Sequence, residues 1–570
     1  MTGADVGNEA LLQYNDIITN LNEEGDQSRK YIKGMVNYKG EKLLNMINNQ
    51  QFGGWKSACR LLVIDVADAF AFFGISTNLI SYLTNHFGQS TATAALNVNV
   101  WVGVVFMLPL IISFFADSYI GRFRFVLASS FFEILGLGCL SICALNGSIN
   151  SSSCVSNKME GDKSCPYPSS VQESFFFLSL YLVAIGSAGN QSCAPAFGAD
   201  QFDGQNLSEC ESKSSFFTWV QIGSSAGSVL SNTILNYIQD NLGWGLGFGI
   251  SCISSTVALI VFLFGIKTYR YSVIDEENEN PLLGIIEVLV ASVKNWSIHS
   301  PSSTSQEEAS EGFFTMPNDA ESSSNHVTNN KVEEKKSLFR LMPVWIICLI
   351  YPVVLSQTMT LFTMQSSKMD RTLGPEFQIP AASMNIFGGL SVILFSCMYD
   401  RIFVPLARSV TGKPNGITTL QRIGTGIFIS AVSMACAAVV ERKRLQTAID
   451  FELVDMPNET VPMSVWWLIP QYLLIGLATT FTSVGLQELF YDQVPNGLKS
   501  VGLSLNLSLF GIGFFISGFL ISVIQKVTSG HGQYGWFSNN LNCAHLDYFY
   551  WLLAGLSTLE MIAFLCYSIT

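Results

Sequence analysis

The sequence predicts an all-α membrane protein of twelve transmembrane helices arranged as two six-helix bundles. Three observations carry that expectation. Of 570 residues, 49% are hydrophobic and only 13% are charged, about half the charge of an average soluble chain. The apolar residues come in runs of about 20, enough to cross a bilayer, not in the short runs of a soluble α/β protein. These runs divide six and six around a polar stretch, Lys267 to Ser337.

Taken in order, the spans are expected near 58–83, 95–115, 125–145, 173–191, 216–237 and 246–267, then 339–362, 380–398, 421–440, 465–487, 501–524 and 547–568. Four segments follow: a polar tail (1–54) without regular structure or weakly helical, an N-terminal bundle (55–267), a linker (268–337) and a C-terminal bundle (338–570). The first 50 residues contain no apolar core of a secretory signal, so the first span must direct insertion. Within the linker, Pro281 to Trp296 mixes apolar and polar residues as a helix lying at a membrane surface does. Ile298 to Lys336 is rich in Ser, Glu, Asn and Thr and reads as a flexible connection. Six plus six about a long hydrophilic connection is the layout of the major facilitator fold.

Basic residues fix the expected orientation. Arg122 and Arg124 follow span two, and Arg401, Arg408 and Lys413 follow span eight, which places those loops, the linker and both termini in the cytoplasm. Glycosylation sequons at Asn146, Asn150 and Asn458 fall on the opposite side. The net charge of −13 argues against nucleic acid as a partner. Thirteen cysteines show no CxxC pair, which leaves no zinc or redox pattern. Cys154 and Cys165 share one polar loop and could be bridged in an oxidising compartment. No cofactor or metal is called for. The expected partners are a small-molecule solute, the bilayer and, as an open question, protons.

The first span contains Asp65 and Asp68, three residues apart and so on one helical face. An acid inside a span costs about 2.5 to 3.5 kcal/mol on insertion scales and usually faces a cavity or a partner. The bland alternative is a pair satisfied by Arg60 or water one turn away. Asp68, flanked by Ala69, Phe70, Phe72 and Phe73, fits that alternative less well.

Motifs then mark a resemblance. SFFADSYIGRFR (Ser113 to Arg124) contains a D-x-x-x-G-R core, Asp117, Gly121 and Arg122, similar to the major facilitator loop signature, in which an acid and an arginine latch helices together. FGADQFD (Phe197 to Asp203), SFFTW (Ser215 to Trp219), DNLGWGLGF (Asp240 to Phe248), MDRTLGPEFQIPAAS (Met369 to Ser383) and GLQELFYDQVP (Gly485 to Pro495) resemble the plant nitrate/peptide transporter family, a branch of the proton-dependent oligopeptide transporters. The matches run in order from about Gly54 to the end. The resemblance implies solute transport by alternating access driven by protons, with substrates from nitrate and small peptides to hormones and amino-acid derivatives. No catalytic motif of an enzyme is found.

The sequence departs from the family at informative places. The family's E-x-x-E-R reads Asp65-Val66-Ala67-Asp68-Ala69, and the lysine of span four is replaced by Gln191 beside Asn190. Val220-Gln221 stands where an aromatic pair is usual. With both cations gone, the desolvation and mutual repulsion of the two acids are no longer offset. Proton symport is then lost, turning the chain into a facilitator or exporter, or protons still bind the acids without the salt-bridge switch; a transport-poor receptor-like paralogue is the third alternative. Glu488 matches the family glutamate of span ten and, with the span-four lysine gone, is expected to lack its opposite number across the cavity; the bland alternative is a helix-end acid paired with a Lys or Arg of a neighbouring helix. Proton-coupling candidates are therefore Asp65, Asp68 and Glu488. Further candidates for the solute site are Phe72, Phe73, Asn97, Asn99, Asn190, Gln191, Gln221, Gln357, Thr360 and Asn506. An anionic site suits an amine-bearing or zwitterionic organic solute better than nitrate.

Overall fold

The computed structural model describes residues 31–44, 52–152, 169–203, 207–272, 341–374, 377–403, 406, 409, 418–457, 459–493, 499–529 and 535–569. Ten of its helices are long and apolar enough to cross a membrane. The first and fifth expected spans lie on two further helices, α1 (Gly54–Ser76) and α6 (Leu207–Leu230). These are long enough to cross but dilute their apolar content with polar side chains.

In the N-terminal bundle, α1 packs against α5 (Ser170–Ala199), α6 and α8 (Trp244–Leu263). α3 (Thr91–Phe115) packs on α5, and α4 (Arg122–Ser152) on both α5 and α8. Local signals set the ends. Ser90 and Ser169 accept hydrogen bonds from the amides of Thr93 and Gln172, capping α3 and α5. Glycines let α4 and α5 meet closely, since a Cβ at Gly186 would lie 2.5 Å from the Glu133 amide nitrogen. Two short helices, α2 (Leu79–Asn85) and α7 (Asn236–Asn241), close one end of this bundle. The expected span 58–83 is therefore broken at Thr77 and Asn78, and the expected span 216–237 is interrupted by a wide turn at Ser231–Leu235.

The C-terminal bundle begins with a broken helix. The segment over 341–367 is interrupted at 348–349, just before α9 (Ile350–Leu355), which contains Pro352, and again at Ser356–Met359, which is followed by α10 (Leu361–Ser367). α11 (Asn385–Met398), α12 (Thr419–Asp450), α13 (Ile469–Asp492), α14 (Lys499–Thr528) and α15 (Leu546–Ile569) complete it. Thr418 and Gln421 form a capping box at the start of α12. That helix runs ten residues past its expected end at 440 because Glu441 and Arg444, which look like a terminating charge run, neutralise each other at 2.7 Å with both side chains fully buried.

The tail departs from expectation. Tyr31–Val36 (β1) and Lys42–Leu44 (β2) form an antiparallel hairpin, and β1 also pairs with Tyr271–Ser272 (β3) at the end of the sixth span. Tyr31, Ile32 and Val36 favour extended backbone. Asn37 Oδ1 accepts from the amides of Lys39 and Glu41 to fold the turn, where Gly40 adopts φ +82°. We call this face of the molecule the tail side. The linker from 273, with the expected surface helix, and residues Cys154, Cys165 and Asn458 lie outside the described residues, as do the side chains of Asn146 and Asn150.

The two bundles meet along α3 and α14 and between α6 and α11. On the side opposite the tail they are tied by hydrogen bonds: Thr363 Oγ1 to the Thr77 carbonyl at 3.2 Å and Ser383 Oγ to the Asn232 carbonyl at 2.7 Å. Tyr237 stacks on Phe377 there, with ring centroids 5.7 Å apart.

Candidate functional site

α1 presents Asp65 and Asp68 to the interior of the N-terminal bundle, 8% and 4% exposed. Asp65 Oδ2 and Asp68 Oδ1 are buried without a hydrogen-bond partner. Arg60, the nearest cation in sequence, donates instead to Thr268 Oγ1 at 2.6 Å. Among the described residues, no cation pairs with either acid. Ser187 and Gln191 of α5 face the Asp68 carboxyl, and Gln191 Nε2 donates to Ser187 Oγ at 3.0 Å.

A third acid stands behind these. Glu133, in the middle of α4 and 2% exposed, accepts from Asn190 Nδ2 at 2.7 Å and from Ser255 Oγ of α8 at 2.9 Å. Asn190 Oδ1 accepts in turn from Ser130 Oγ at 3.2 Å. Sequence reading missed Glu133. The signal was available, since an isolated acid in the apolar run FFEILGLG follows the same rule that singled out Asp68.

In the other bundle, Glu488 on α13 is ion-paired to Arg422 on α12 at 3.3 Å. Arg422 also donates to the Thr480 carbonyl at 3.1 Å and lies over the Tyr399 ring, 4.2 Å from its centroid. Glu488 is thus paired as the bland alternative had it, with a cation of a neighbouring helix in its own bundle, in the LQRIGTG segment.

A profile for the family described as "PTR2: POT family" matches residues 123–537, most of the chain. The chain belongs to the POT family. It is 51% identical over 521 residues to Protein NRT1/PTR FAMILY 5.10 of Arabidopsis thaliana, covering 90% of this chain and 92% of that protein. It is 46% identical over 543 residues to Protein NRT1/PTR FAMILY 5.12 of the same plant, covering 94% and 95%. Among solved structures it resembles an auto-inhibited POT family peptide transporter, with a TM-score of 0.66 at 18% identity over 90% of this chain and 96% of that one. A POT family transporter in complex with 5-aminolevulinic acid gives 0.60 at 15% identity over 91% and 97%. This POT-family chain is thus a multi-pass membrane protein and a secondary transporter, not an enzyme, and the major facilitator architecture expected from six plus six spans holds.

The other expected site residues of this POT-family chain fall into two groups. Asn99, Gln357 and Thr360 are fully buried near the bundle interface. Asn99 Nδ2 and Gln357 Nε2 both donate to Ser517 Oγ of α14, at 3.3 and 3.1 Å, and Thr360 Oγ1 donates to the Ser356 carbonyl. Asn506 of α14 is also buried, its Oδ1 without a partner. The remainder lie apart from these. Phe72 is buried and stacks on Trp101 at 5.7 Å, with Phe73 and Phe106 against its edge, so its geometry is that of core packing. Asn97 Nδ2 donates to Gln89 Oε1 near the start of α3, and Gln221 is exposed on α6. In the signature loop, Gly121 adopts φ +86° and Arg122 forms two hydrogen bonds to the Asp200 carboxylate, at 2.8 and 2.9 Å. The partner of Arg122 thus comes from FGADQFD; the Asp117 side chain lies outside the described residues.

Proposed function

We propose that this chain carries a small amine-bearing or zwitterionic organic solute across a membrane by alternating access, with proton coupling altered relative to relatives that have the full charge motif. The observation that carries this reading is the pair of partnerless buried carboxylate oxygens on Asp65 and Asp68. A buried carboxylate without a cation is satisfied by a proton or by a cationic group of the solute. Arg422, with Glu488 beside it, offers a positive group in the opposite bundle for an acidic end of the same solute. 5-Aminolevulinic acid, bound by one protein of the same fold, has that pairing of amine and carboxylate.

The tail side is the cytoplasmic side in this reading, supported by Arg122 and Arg124 at the start of α4. The ties on the opposite side then close the outer entrance. The exposed Glu488 side chain lies in the tail-side half of α13 and the exposed Gln221 near the middle of α6, and we assign them to an inward-open cleft. Which membrane houses the chain is set by targeting, and both uptake and export are compatible with a carrier of this design.

The test is transport by the full chain in oocytes, against nitrate, dipeptides, hormones and amino-acid-derived chelators, loaded inside and outside in turn at two external pH values. Flux of an amine-bearing solute that changes little with pH supports the reading. Steep acid-stimulated uptake would show that coupling survives without the two cations, and nitrate as the sole substrate would overturn the charge argument.

A further inference from the structure

We propose that the cavity between the tail hairpin and the start of α4 binds the phosphate headgroup of an anionic phospholipid. This goes beyond the transport reading above. It takes from that reading the orientation alone, since anionic lipid is richest in the cytoplasmic leaflet.

The cavity has a volume of about 480 Å³ and is enclosed by four pieces of chain: the hairpin turn, the signature loop with the first turn of α4, the end of α5 and the segment after α8. That is room for a small ligand. Its inner wall is aromatic. The Phe123 and Tyr271 rings meet edge to face at 5.3 Å, and Phe197 lies 6.0 Å from each of them. The Tyr271 hydroxyl donates to the Ile266 carbonyl at 2.7 Å, so the wall offers a ligand apolar surface and no free polar group from that ring. Charge sits at the rim. Arg122 is matched by Asp200, but Arg124 is exposed on the same cavity and no acid pairs with it among the described residues. Across from it the hairpin turn exposes Tyr38, with Lys39 Nζ 5.7 Å from the centre of its ring, and Lys42 is exposed on the next strand. The acid of that turn, Glu41, accepts from Asn37 Nδ2 at 2.8 Å. Three cations against one acid, beside an apolar wall, suit an anion joined to an apolar body.

Position favours a lipid over a soluble anion. α4 and α8 pack on each other and both end at this cavity, Arg124 lying in the first turn of α4 and Ile266 just past the last turn of α8. Along their spans both helices turn apolar side chains outward, Phe131 and Leu135 on α4, Ile260 and Phe264 at the end of α8. In a bilayer these faces meet acyl chains. A phospholipid lying along them carries its phosphate to the level of Arg124, whose guanidinium can take two phosphate oxygens at once. A free phosphate has the charge but nothing to place on the aromatic wall. Held there, the headgroup joins the hairpin turn to the start of α4 and keeps β1 seated on β3.

The experiment needs no transported solute, so its failure and that of the transport reading are distinct. The full chain is placed in nanodiscs of phosphatidylcholine, with or without phosphatidylserine of the same acyl chains. Two quantities are read: amide exchange over Tyr31–Leu44, and the lipid retained on the protein after detergent extraction, by mass spectrometry. Phosphatidylserine should slow exchange in the hairpin and be retained in preference to phosphatidylcholine. Arg124→Gln should lower that retention about fivefold, the effect of one basic residue at an anionic surface. Lys56→Gln, at an exposed lysine of α1 on the same face but outside the cavity, should change it little. No preference for phosphatidylserine, or equal loss in the two variants, overturns the proposal, because attraction to a charged surface in general then accounts for the result. Glycerol 3-phosphate that slows hairpin exchange in pure phosphatidylcholine discs as much as phosphatidylserine does would overturn lipid as the ligand. If Arg124→Gln is not monodisperse, Tyr38→Ala on the exposed opposite wall decides: weakened retention supports the site and unchanged retention overturns it.

Discussion

Ala69 packs against Gly227 of α6: a Cβ placed on that glycine would lie 3.0 Å from the Ala69 Cβ and 2.7 Å from the Val66 carbonyl oxygen. The position that the family resemblance aligns with an arginine is thus sealed by a helix contact built for small residues. Ala69→Arg must push α6 away, and overpacking of this kind costs about 1–3 kcal/mol or more. We expect Ala69→Arg to lower the yield of folded protein, checked by fluorescence-detected size exclusion. Gln191 is half-buried and already faces Asp68. Gln191→Lys should therefore be tolerated, place an ammonium beside the carboxylate and make initial transport rates depend more steeply on external pH. An unchanged pH profile in a well-folded Gln191→Lys chain would count against the missing cation as the cause of altered coupling.

The Arg422 guanidinium has three partners, Glu488, the Thr480 carbonyl and the Tyr399 ring, whereas the Glu488 side chain is 42% exposed. Solvent screening makes the ion pair itself worth little, about 1 kcal/mol or less. Glu488→Gln should then leave thermal stability nearly unchanged, with any effect confined to transport. Arg422→Ala removes all three contacts and should lower transport at least tenfold, with selectivity moving away from solutes that bear a carboxylate. Equal loss for acidic and purely cationic solutes would make Arg422 a structural residue.

Ten of the expected spans, the two-bundle fold and the buried acids of α1 were legible because apolar run length and an acid inside such a run are local properties of the chain. What was hidden depends on packing across helices. Glu133 looked like one acid among apolar neighbours until Asn190 and Ser255 were seen to close on it. The partner of Glu488 could not be named because Arg422 lies 66 residues away and reads as a charge at a helix start. The ninth span was expected to end at 440 and runs on to Asp450, because sequence cannot reveal that Glu441 and Arg444 cancel inside the fold. The hairpin at Tyr31–Leu44 escaped notice because a two-residue strand 235 residues later, β3, supplies its neighbour.

Arg270 ties the tail side together. It donates to Glu209 at 2.8 Å and to the Phe52 carbonyl at 3.1 Å, and its backbone exchanges hydrogen bonds with the Gln201 side chain. Partial burial pushes the Glu209 carboxyl up, but hydrogen bonds from Arg270 and the Asp203 amide and the Arg270 charge outweigh it and hold Glu209 below the usual carboxylate range. A depressed folded-state value gives stability that is present above the unfolded value, about 4.3, and lost as pH falls through the folded one. The staple should therefore be intact throughout the neutral range and release only in acid, below the usual carboxylate range. Arg270→Ala should release it at every pH, seen as faster amide exchange in Tyr31–Val36, whose strand pairs with Tyr271 next to Arg270. Unchanged exchange would show that the hairpin is held by its strand pairing alone.

Glu560 on α15 is 4% exposed, and its Oε1 accepts from the Tyr351 amide at 3.2 Å while Oε2 has no partner. The Tyr351 amide lies in the first turn of α9, just past the interruption of the seventh span at 348–349, where the helix itself supplies no acceptor. Tyr351 also reaches α13, its hydroxyl lying 3.1 Å from Thr479 Oγ1 and from Ser483 Oγ. One residue thus links the break in the seventh span to two other helices. Glu560→Gln preserves an acceptor for the amide and supplies a donor in place of the unpartnered oxygen, so it should hold or raise thermal stability. Glu560→Leu leaves the Tyr351 amide buried without a partner, which costs about 1–3 kcal/mol and should lower the melting temperature by several degrees. Loss of transport in Glu560→Gln with stability intact would assign the acid a role in moving the seventh span; full transport in that variant would leave Glu560 as an acceptor for a broken helix and nothing more.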